Sequence, residues 1–298
     1  MRNIQIKTVY WLLANSNPLS MKKTYLLFAS TLMLAFASCD TTRQMQDDET
    51  RTPVMATSTG PTPSGAVMSK GGLRVFAFDD SQKYPESQLR LNTPPENGVV
   101  QPGPVEFVYE LSNFQLTRMT PHSNSEFMAN SHEGQHIHNI VDNEPYTAHY
   151  ETTFTKEMEE GEHVVLSFIS RSYHESLKHR GAYDLRMVTV GRPQQRMEFD
   201  MKGQHMFYSR PKGEYVGNDT RRIMLDFYLV NTDLSTEGNK VRATINGNEF
   251  ILDKWMPHII EGLPMGESTI KLQLINNAGA VIPGPYNSVT RTITLKES

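Results

Sequence analysis

The chain has 298 residues, of which 38% are hydrophobic and 21% charged, and its formal net charge is −4 at pH 7. This composition is that of a globular protein with enough mass to bury a core, and it excludes collagen-like, coiled-coil and largely disordered chains. The single cysteine excludes an internal disulfide, a cysteine-based zinc knuckle and a CxxC redox centre, and the acidic balance offers no basic surface for nucleic acid.

Residues 1–38 predict a secretory signal that starts at Met21. Two lysines follow this methionine, and an apolar run over 25–37 is too short to cross a bilayer as a helix. Cys39 follows small residues at the end of the run, as in a bacterial lipobox, where the cysteine is lipidated and becomes the mature N-terminus. We therefore expect an acyl anchor at Cys39; an ordinary signal peptide with an unrelated cysteine is the alternative.

The segment after Cys39 favours a tethered position on the outer membrane. The acidic cluster at 47–49 is similar to the export signals of surface lipoproteins in Bacteroidetes. Residues 39–70 are rich in threonine, serine, proline and glycine, and they hold few large apolar side chains. Such a segment cannot offset its ordering entropy, so we predict a flexible linker between the anchor and the first domain.

From residue 71 onward, apolar residues recur with a period of two, and turn residues separate the runs. This pattern is typical of a β-sandwich or barrel built from short strands. The expected strands cover residues 73–78, 105–111, 164–169, 183–190, 223–230, 241–245, 269–274 and 289–295.

A weak internal repeat divides this β-rich part. Three blocks recur in one order: 109–117 matches 227–235, 138–144 matches 242–248, and 160–166 matches 265–271. Each half is near the ~100 residues that an immunoglobulin-like sandwich needs. We therefore predict an all-β fold with two tandem immunoglobulin-like β-sandwich domains, at 71–200 and 201–298.

The repeat also predicts how one histidine-bearing strand is oriented. In 240–245, apolar residues alternate with lysine, arginine and threonine, so the apolar set must face the core. Transferred to 136–141, this places Ile137 inward and directs His136 and His138 outward, toward solvent. Two imidazoles on one strand face form a two-point metal chelate, and His149 is a third candidate ligand. An exposed polar strand face without metal is the alternative.

Two loops carry arginine beside hydroxyl and aromatic groups. Arginine with serine and tyrosine donors suits a carboxylate, phosphate or sugar ligand. The candidate ligand-binding residues are Arg171, Ser172, His174, Arg210 and Lys212. The alternative is that the arginines only bind backbone carbonyls and order these loops. No GxSxG elbow, HExxH, GxGxxG or P-loop is present, so we assign no catalytic residue.

Four segments resemble a family of Bacteroidetes envelope lipoproteins whose members are uncharacterised or loosely labelled phosphopeptide-binding proteins. The segments are Asn130–His138, Pro145–Tyr150, Ser170–Ser176 and Phe207–Gly213. The resemblance covers about residues 70–298 and implies a binding role without catalysis.

The sequence thus predicts a lipid-anchored envelope protein that recognises an anionic or phosphorylated ligand or a metal ion, zinc or copper, between two β-sandwiches. The alternatives are a metal-dependent enzyme centred on His136 and His138, and a structural module of an envelope complex. The expected partners are the membrane, through Cys39, and the ligand, with no nucleic acid.

Overall fold

The computed structural model describes residues 60–298. The signal region and Cys39 lie outside the described residues. Within them, no helix is long and apolar enough to cross a membrane.

Eighteen strands account for nearly all of the regular secondary structure of the described residues, which confirms the all-β prediction. The helical elements are one α-helix, α1 (Asn124–Phe127), and two single-turn 3-10 segments, Arg180–Ala182 and Gly217–Thr220. In chain order the strands are β1 (Met68–Lys70), β2 (Leu73–Ala77), β3 (Gln88–Thr93), β4 (Val99–Val100), β5 (Gly103–Ser112), β6 (His136–Val141), β7 (Thr147–His149), β8 (Thr153–Met158), β9 (Gly161–Ser170), β10 (Tyr183–Val190), β11 (His205–Arg210), β12 (Glu214–Val216), β13 (Ile223–Val230), β14 (Lys240–Ile245), β15 (Asn248–Leu252), β16 (His258–Glu261), β17 (Gly266–Ile275) and β18 (Ser288–Lys296).

Each strand of the first sandwich has a counterpart in the second sandwich eight strands later in the chain. The first sandwich pairs the sheet β3-β5-β8 with the sheet β4-β10-β9-β6-β7, and the second contains the orders β11-β13-β16 and β12-β18-β17-β14-β15. The β4–β10 pair and its counterpart β12–β18 are both parallel. The turn after β5 matches the turn after β13 as well, because Asn113 and Asn231 both have positive φ angles, of 56° and 55°. The internal repeat found in the sequence is therefore a repeat of topology.

The segment before the first sandwich departs from the sequence prediction. β1 pairs with β2, and β2 pairs with β16, so both strands extend a sheet of the second sandwich. The sequence had placed 71–77 in the first domain and residues up to 70 in a flexible linker. Pro63 already forms a bridge to Phe78, and Ser64 donates a backbone hydrogen bond to Ala77. The open edge of β16 supplies backbone partners for this hairpin, which local composition does not reveal.

The two sandwiches pack sheet against sheet, so the described chain has four β layers. One core lies within each sandwich, and it includes Ile137 in the first and Ala243 in the second. A third apolar cluster joins β6 and β9 of the first sandwich to β11 and β13 of the second, with Phe168 and Phe207 among its members. The two middle sheets are therefore covered on both faces, and side chains that leave either core enter this shared layer.

Candidate metal centre

His136 and His138 project from β6 into the layer between the sandwiches. Their neighbour Ile137 points the other way, into the first core, because side chains alternate along a strand. The predicted orientation relative to that core is confirmed, but the predicted exposure to solvent is wrong. Both histidines have 0% exposed surface, since the second sandwich covers the face that the repeat directed outward. Tandem packing of the domains thus converts a surface pair into a buried one.

A third imidazole, from His174, completes a cluster with these two. His136 Nε2 lies 2.8 Å from His138 Nε2 and 3.1 Å from His174 Nδ1. One nitrogen from each ring can be chosen so that all three lie within 4.8 Å of one another. This is the only such group of three potential metal ligands among residues 60–298. The sequence placed His174 among the ligand-binding loop residues, and the structure brings it to the paired histidines.

His174 is held in place by a tight turn with an unfavourable backbone conformation. Its φ angle is +67°, in the left-handed region, which costs roughly 1–2 kcal/mol for a residue other than glycine. The turn is closed by hydrogen bonds from His174 N to Arg171 O and from Arg171 N to Glu175 O, both 2.9 Å long. Tyr173 anchors it by packing into an apolar cluster at the domain interface. Such strain persists only where the surroundings over-determine the conformation, and it gathers at functional sites.

The hydrogen bonds of the cluster fix the proton of one imidazole. His136 Nδ1 is 2.7 Å from Gly134 O and donates to this carbonyl, so Nε2 of the neutral ring carries a lone pair. That single lone pair faces both His138 Nε2 and His174 Nδ1. Tyr146 Oη accepts from Arg210 Nε and lies 3.3 Å from His174 Nδ1, to which its hydroxyl can donate. When it does so, the lone pairs of His136 Nε2 and His174 Nδ1 face each other.

Burial keeps all three imidazoles neutral at pH 7. Desolvation lowers the pKa of His136 to about 4, and nearby Arg210 and Lys212 act in the same direction. Burial also lowers the pKa values of His138 and His174 well below the usual range, with further repulsion from neighbouring imidazoles and Arg210. His138 Nδ1 has no hydrogen-bond partner among the described residues. Neutral imidazoles are the form that binds metal ions.

Tyr146 and two cations form the wall beside the histidines. The Tyr146 ring stacks on His138 with centroids 3.5 Å apart and an interplanar angle of 11°. Arg210 donates hydrogen bonds to Oη of Tyr146 and of Tyr215, and Lys212 Nζ donates to the Tyr146 carbonyl over 2.7 Å. Neither cation forms a salt bridge within residues 60–298. The wall therefore carries uncompensated positive charge.

Three of the residues predicted from sequence lie outside this cluster. His149 is paired directly with Ile137, so it faces the opposite side of the sheet, where its ring stacks on Phe154 at 3.3 Å. Arg171 forms a buried ion pair with Glu175 and donates to Gln82 O. Ser172 exchanges two hydrogen bonds with Thr120: its Oγ accepts from Thr120 N, and its N donates to Thr120 Oγ1. The prediction that His149 binds the same metal as His136 was wrong, because the two side chains lie on opposite faces of the sheet. Arg171 and Ser172 make contacts that order their own loop.

Tyr146 is the residue of this site that was not predicted from the sequence. Ala148 is the partner of His138 in the β6–β7 pair, and Tyr146 lies two residues before Ala148. Residues two apart on a strand share a face, so Tyr146 is a diagonal neighbour of His138. The pairing register of β6 and β7 is needed to place Tyr146 beside His138, and this register cannot be read from the sequence alone.

No protein-family model matches this chain, and no curated protein is similar to it. Similar solved structures include fibronectin(III)-like modules of Clostridium thermocellum CbhA, with 9% identity, a TM-score of 0.25, and coverage of 70% of this chain and 95% of that one. The central fibronectin-III array of RIM-binding protein shows 10% identity, a TM-score of 0.25, and coverage of 74% and 71%. Bacteroides ovatus SGBP-B, in complex with a mixed-linkage heptasaccharide, shows 7% identity and a TM-score of 0.22; this chain spans 47% of its length. The likeness stops at the β-sandwich class.

Proposed function

We propose that the protein binds a transition-metal ion, zinc or copper, between its two β-sandwiches. The ligands are His136 Nε2, His138 Nε2 and His174 Nδ1. The observation that carries the proposal is the convergence of these nitrogens at 2.8 and 3.1 Å around His136, whose Nε2 lone pair faces both other rings. A cation between them would accept a lone pair from each of the three neutral imidazoles.

The spacing of the nitrogens suits a metal of this class. Metal–nitrogen bonds of ~2.0–2.1 Å in a tetrahedral arrangement place neighbouring nitrogens about 3.3 Å apart. The observed separations around His136 need to open by only a few tenths of an ångström. Imidazole nitrogens suit zinc and copper, whereas calcium and magnesium take oxygen ligands.

The neighbouring cations favour a negatively charged fourth ligand on the metal. Arg210 and Lys212 repel a bare divalent ion, and a fourth ligand with negative charge would balance both the metal and the guanidinium. An anionic or phosphorylated ligand beside the Tyr146 hydroxyl would meet this requirement as the fourth ligand. Arg171, which the sequence grouped with these residues, has no part in it.

We also propose that the protein is attached to the outer membrane by an acyl chain on Cys39. The apolar run over 25–37 and the single cysteine at its end support this attachment. Metabolic labelling with an alkyne-bearing fatty acid tests it directly. Labelled wild-type protein and unlabelled Cys39→Ser protein are expected, and equal labelling of the two would contradict the anchor.

Isothermal titration calorimetry of the full chain without a histidine tag tests the metal proposal. We expect one Zn²⁺ or Cu²⁺ ion per chain and a loss of affinity in His138→Ala and His174→Ala beyond the ~10–100-fold that the removal of an outer hydrogen-bond partner costs. His149→Ala is the matched control, because it removes an imidazole from the same sheet on the other face. Absence of binding by the wild type, or an unchanged affinity in His174→Ala, would overturn the proposal.

A further inference from the structure

A large cleft opens at one end of the layer between the sandwiches, away from the histidine cluster. Its volume is about 1150 Å³. One wall is the beginning of β10, around Tyr183, and the other is the segment that follows β13, around Asn231 and Asp233. Trp255 also lines it, and the lining includes none of His136, His138 and His174. The volume exceeds the ~300–1,000 Å³ of typical small-molecule sites, so an extended ligand fits better than a single small ring.

Two partly exposed aromatic rings stand in this cleft on a rigid base. Tyr183 and Trp255 both pack on the fully buried Tyr228, each with ring centroids 5.2 Å apart. Trp255 Nε1 donates a 3.0 Å hydrogen bond to Phe227 O, which fixes the indole in one orientation. Tyr228 is itself tied by its hydroxyl to Leu177 O. The two rings therefore present apolar faces without needing to be ordered by a ligand.

The rim of the cleft is polar, with charges of both signs. Glu96 and Asp233 are exposed acids, Arg180 is an exposed base, and Gln204 presents an exposed amide. Asp184 is already neutralised, because Arg186 donates to both of its carboxylate oxygens, over 2.8 and 2.6 Å. The mixture gives no strong field of one sign, so the cleft does not select a highly charged ligand. It offers planar donors and acceptors beside aromatic faces.

We propose that this cleft binds a neutral oligosaccharide. The carbon-bound hydrogens of a pyranose ring form an apolar face that stacks on Tyr183 or Trp255, and its hydroxyl groups match the amide and carboxylate groups of the rim. An extended peptide that is recognised through apolar side chains is a less suitable occupant, because the residues that line the cleft are mainly polar. The cleft and the metal centre share no residue.

Tryptophan fluorescence of the full chain tests this site. Trp255 is the sole tryptophan once residues 1–38 are removed, and Trp11→Phe keeps it so in the unprocessed chain, so a ligand in the cleft changes the emission directly. Linear hexasaccharides of β-glucose, β-mannose and β-xylose are the probes, and we expect a saturable change with at least one of them. Removal of a stacking ring in Tyr183→Ala weakens this binding by about tenfold or more, the equivalent of ~1.4 kcal/mol. Asp233→Ala is expected to weaken this binding as well, because it removes an exposed carboxylate from the rim of the cleft.

Phe114→Ala is the matched control, because it removes a partly buried ring of the first sandwich that does not line the cleft. It should leave the oligosaccharide affinity unchanged, and thermal unfolding of each variant separates lost binding from lost folding. The proposal is overturned if no hexasaccharide binds at millimolar concentration, if folded Tyr183→Ala and Asp233→Ala bind as well as the parent, or if an unstructured peptide competes for Trp255 where the sugars do not.

Discussion

Arg171 offers a sharp test of the distinction between a ligand-binding and a structural arginine. Its side chain is almost fully buried and contacts Glu175 over 2.9 Å, with both groups at 3–4% exposure. Glu175 also accepts from Ser81, and Arg171 donates to Gln82 O. Replacement of Arg171 by methionine removes the charge but keeps an unbranched chain, and it leaves the Glu175 carboxylate buried without its cation. The expected loss of unfolding free energy is about 3–5 kcal/mol.

Urea unfolding of the full chain at pH 7 measures this loss. Burial already raises the pKa of Glu175 although Arg171 lowers it, so Glu175→Gln in the Arg171→Met background removes the stranded charge and should recover part of the stability. Arg74→Met is the control, because Arg74 is 54% exposed in its pair with Glu261 and should cost at most ~1 kcal/mol. A structural role for Arg171 is contradicted if Arg171→Met is as stable as Arg74→Met, or if Arg171→Met abolishes metal binding without any loss of stability.

Two further predictions concern the layers of the fold. Burial lowers the pKa of His258 to about 4 from 6.5, so below pH 6.5 the unfolded chain binds a proton that the native state does not. The contribution of neutral His258 to stability is therefore present at pH 7 and is lost as the pH falls toward 4. The loss is about 2 kcal/mol between pH 7 and pH 5. The urea midpoints of His258→Asn should therefore depend less on pH than those of the wild type. Phe207→Ala empties a fully buried site between the two middle sheets and should cost about 3–5 kcal/mol, measured by urea unfolding, with an unchanged stability arguing against the sheet-on-sheet contact.

The period of two in the sequence was sufficient to predict eight of the eighteen strands, and β6 through the repeat. Val241, Ala243 and Ile245 face the second core as expected, and Ile137 faces the first, because a strand with one apolar face has only one favourable orientation. The same pattern could not show that β1 and β2 join the second sandwich. That pairing spans more than 180 residues, from Ala77 to His258, and it depends on which sheet edge is free.

The site was predictable only in part, because it forms where the two domains meet. The alternation around Ile137 identifies His136 and His138 as a pair that leaves the first core, but only the packing of the second sandwich shows that they are buried. His174 reaches them from a loop through a left-handed backbone conformation that sequence patterns do not assign to histidine. His149 is close to His136 in the chain but lies on the other face, since its register with Ile137 was unknown.

X-ray absorption spectroscopy of the zinc-loaded full chain tests the metal centre most directly. We expect a first shell with three imidazole nitrogens at about 2.0 Å, and a loss of imidazole scattering in His174→Ala. A shell made only of oxygen atoms, or one with sulfur at about 2.3 Å from Cys39, would contradict it.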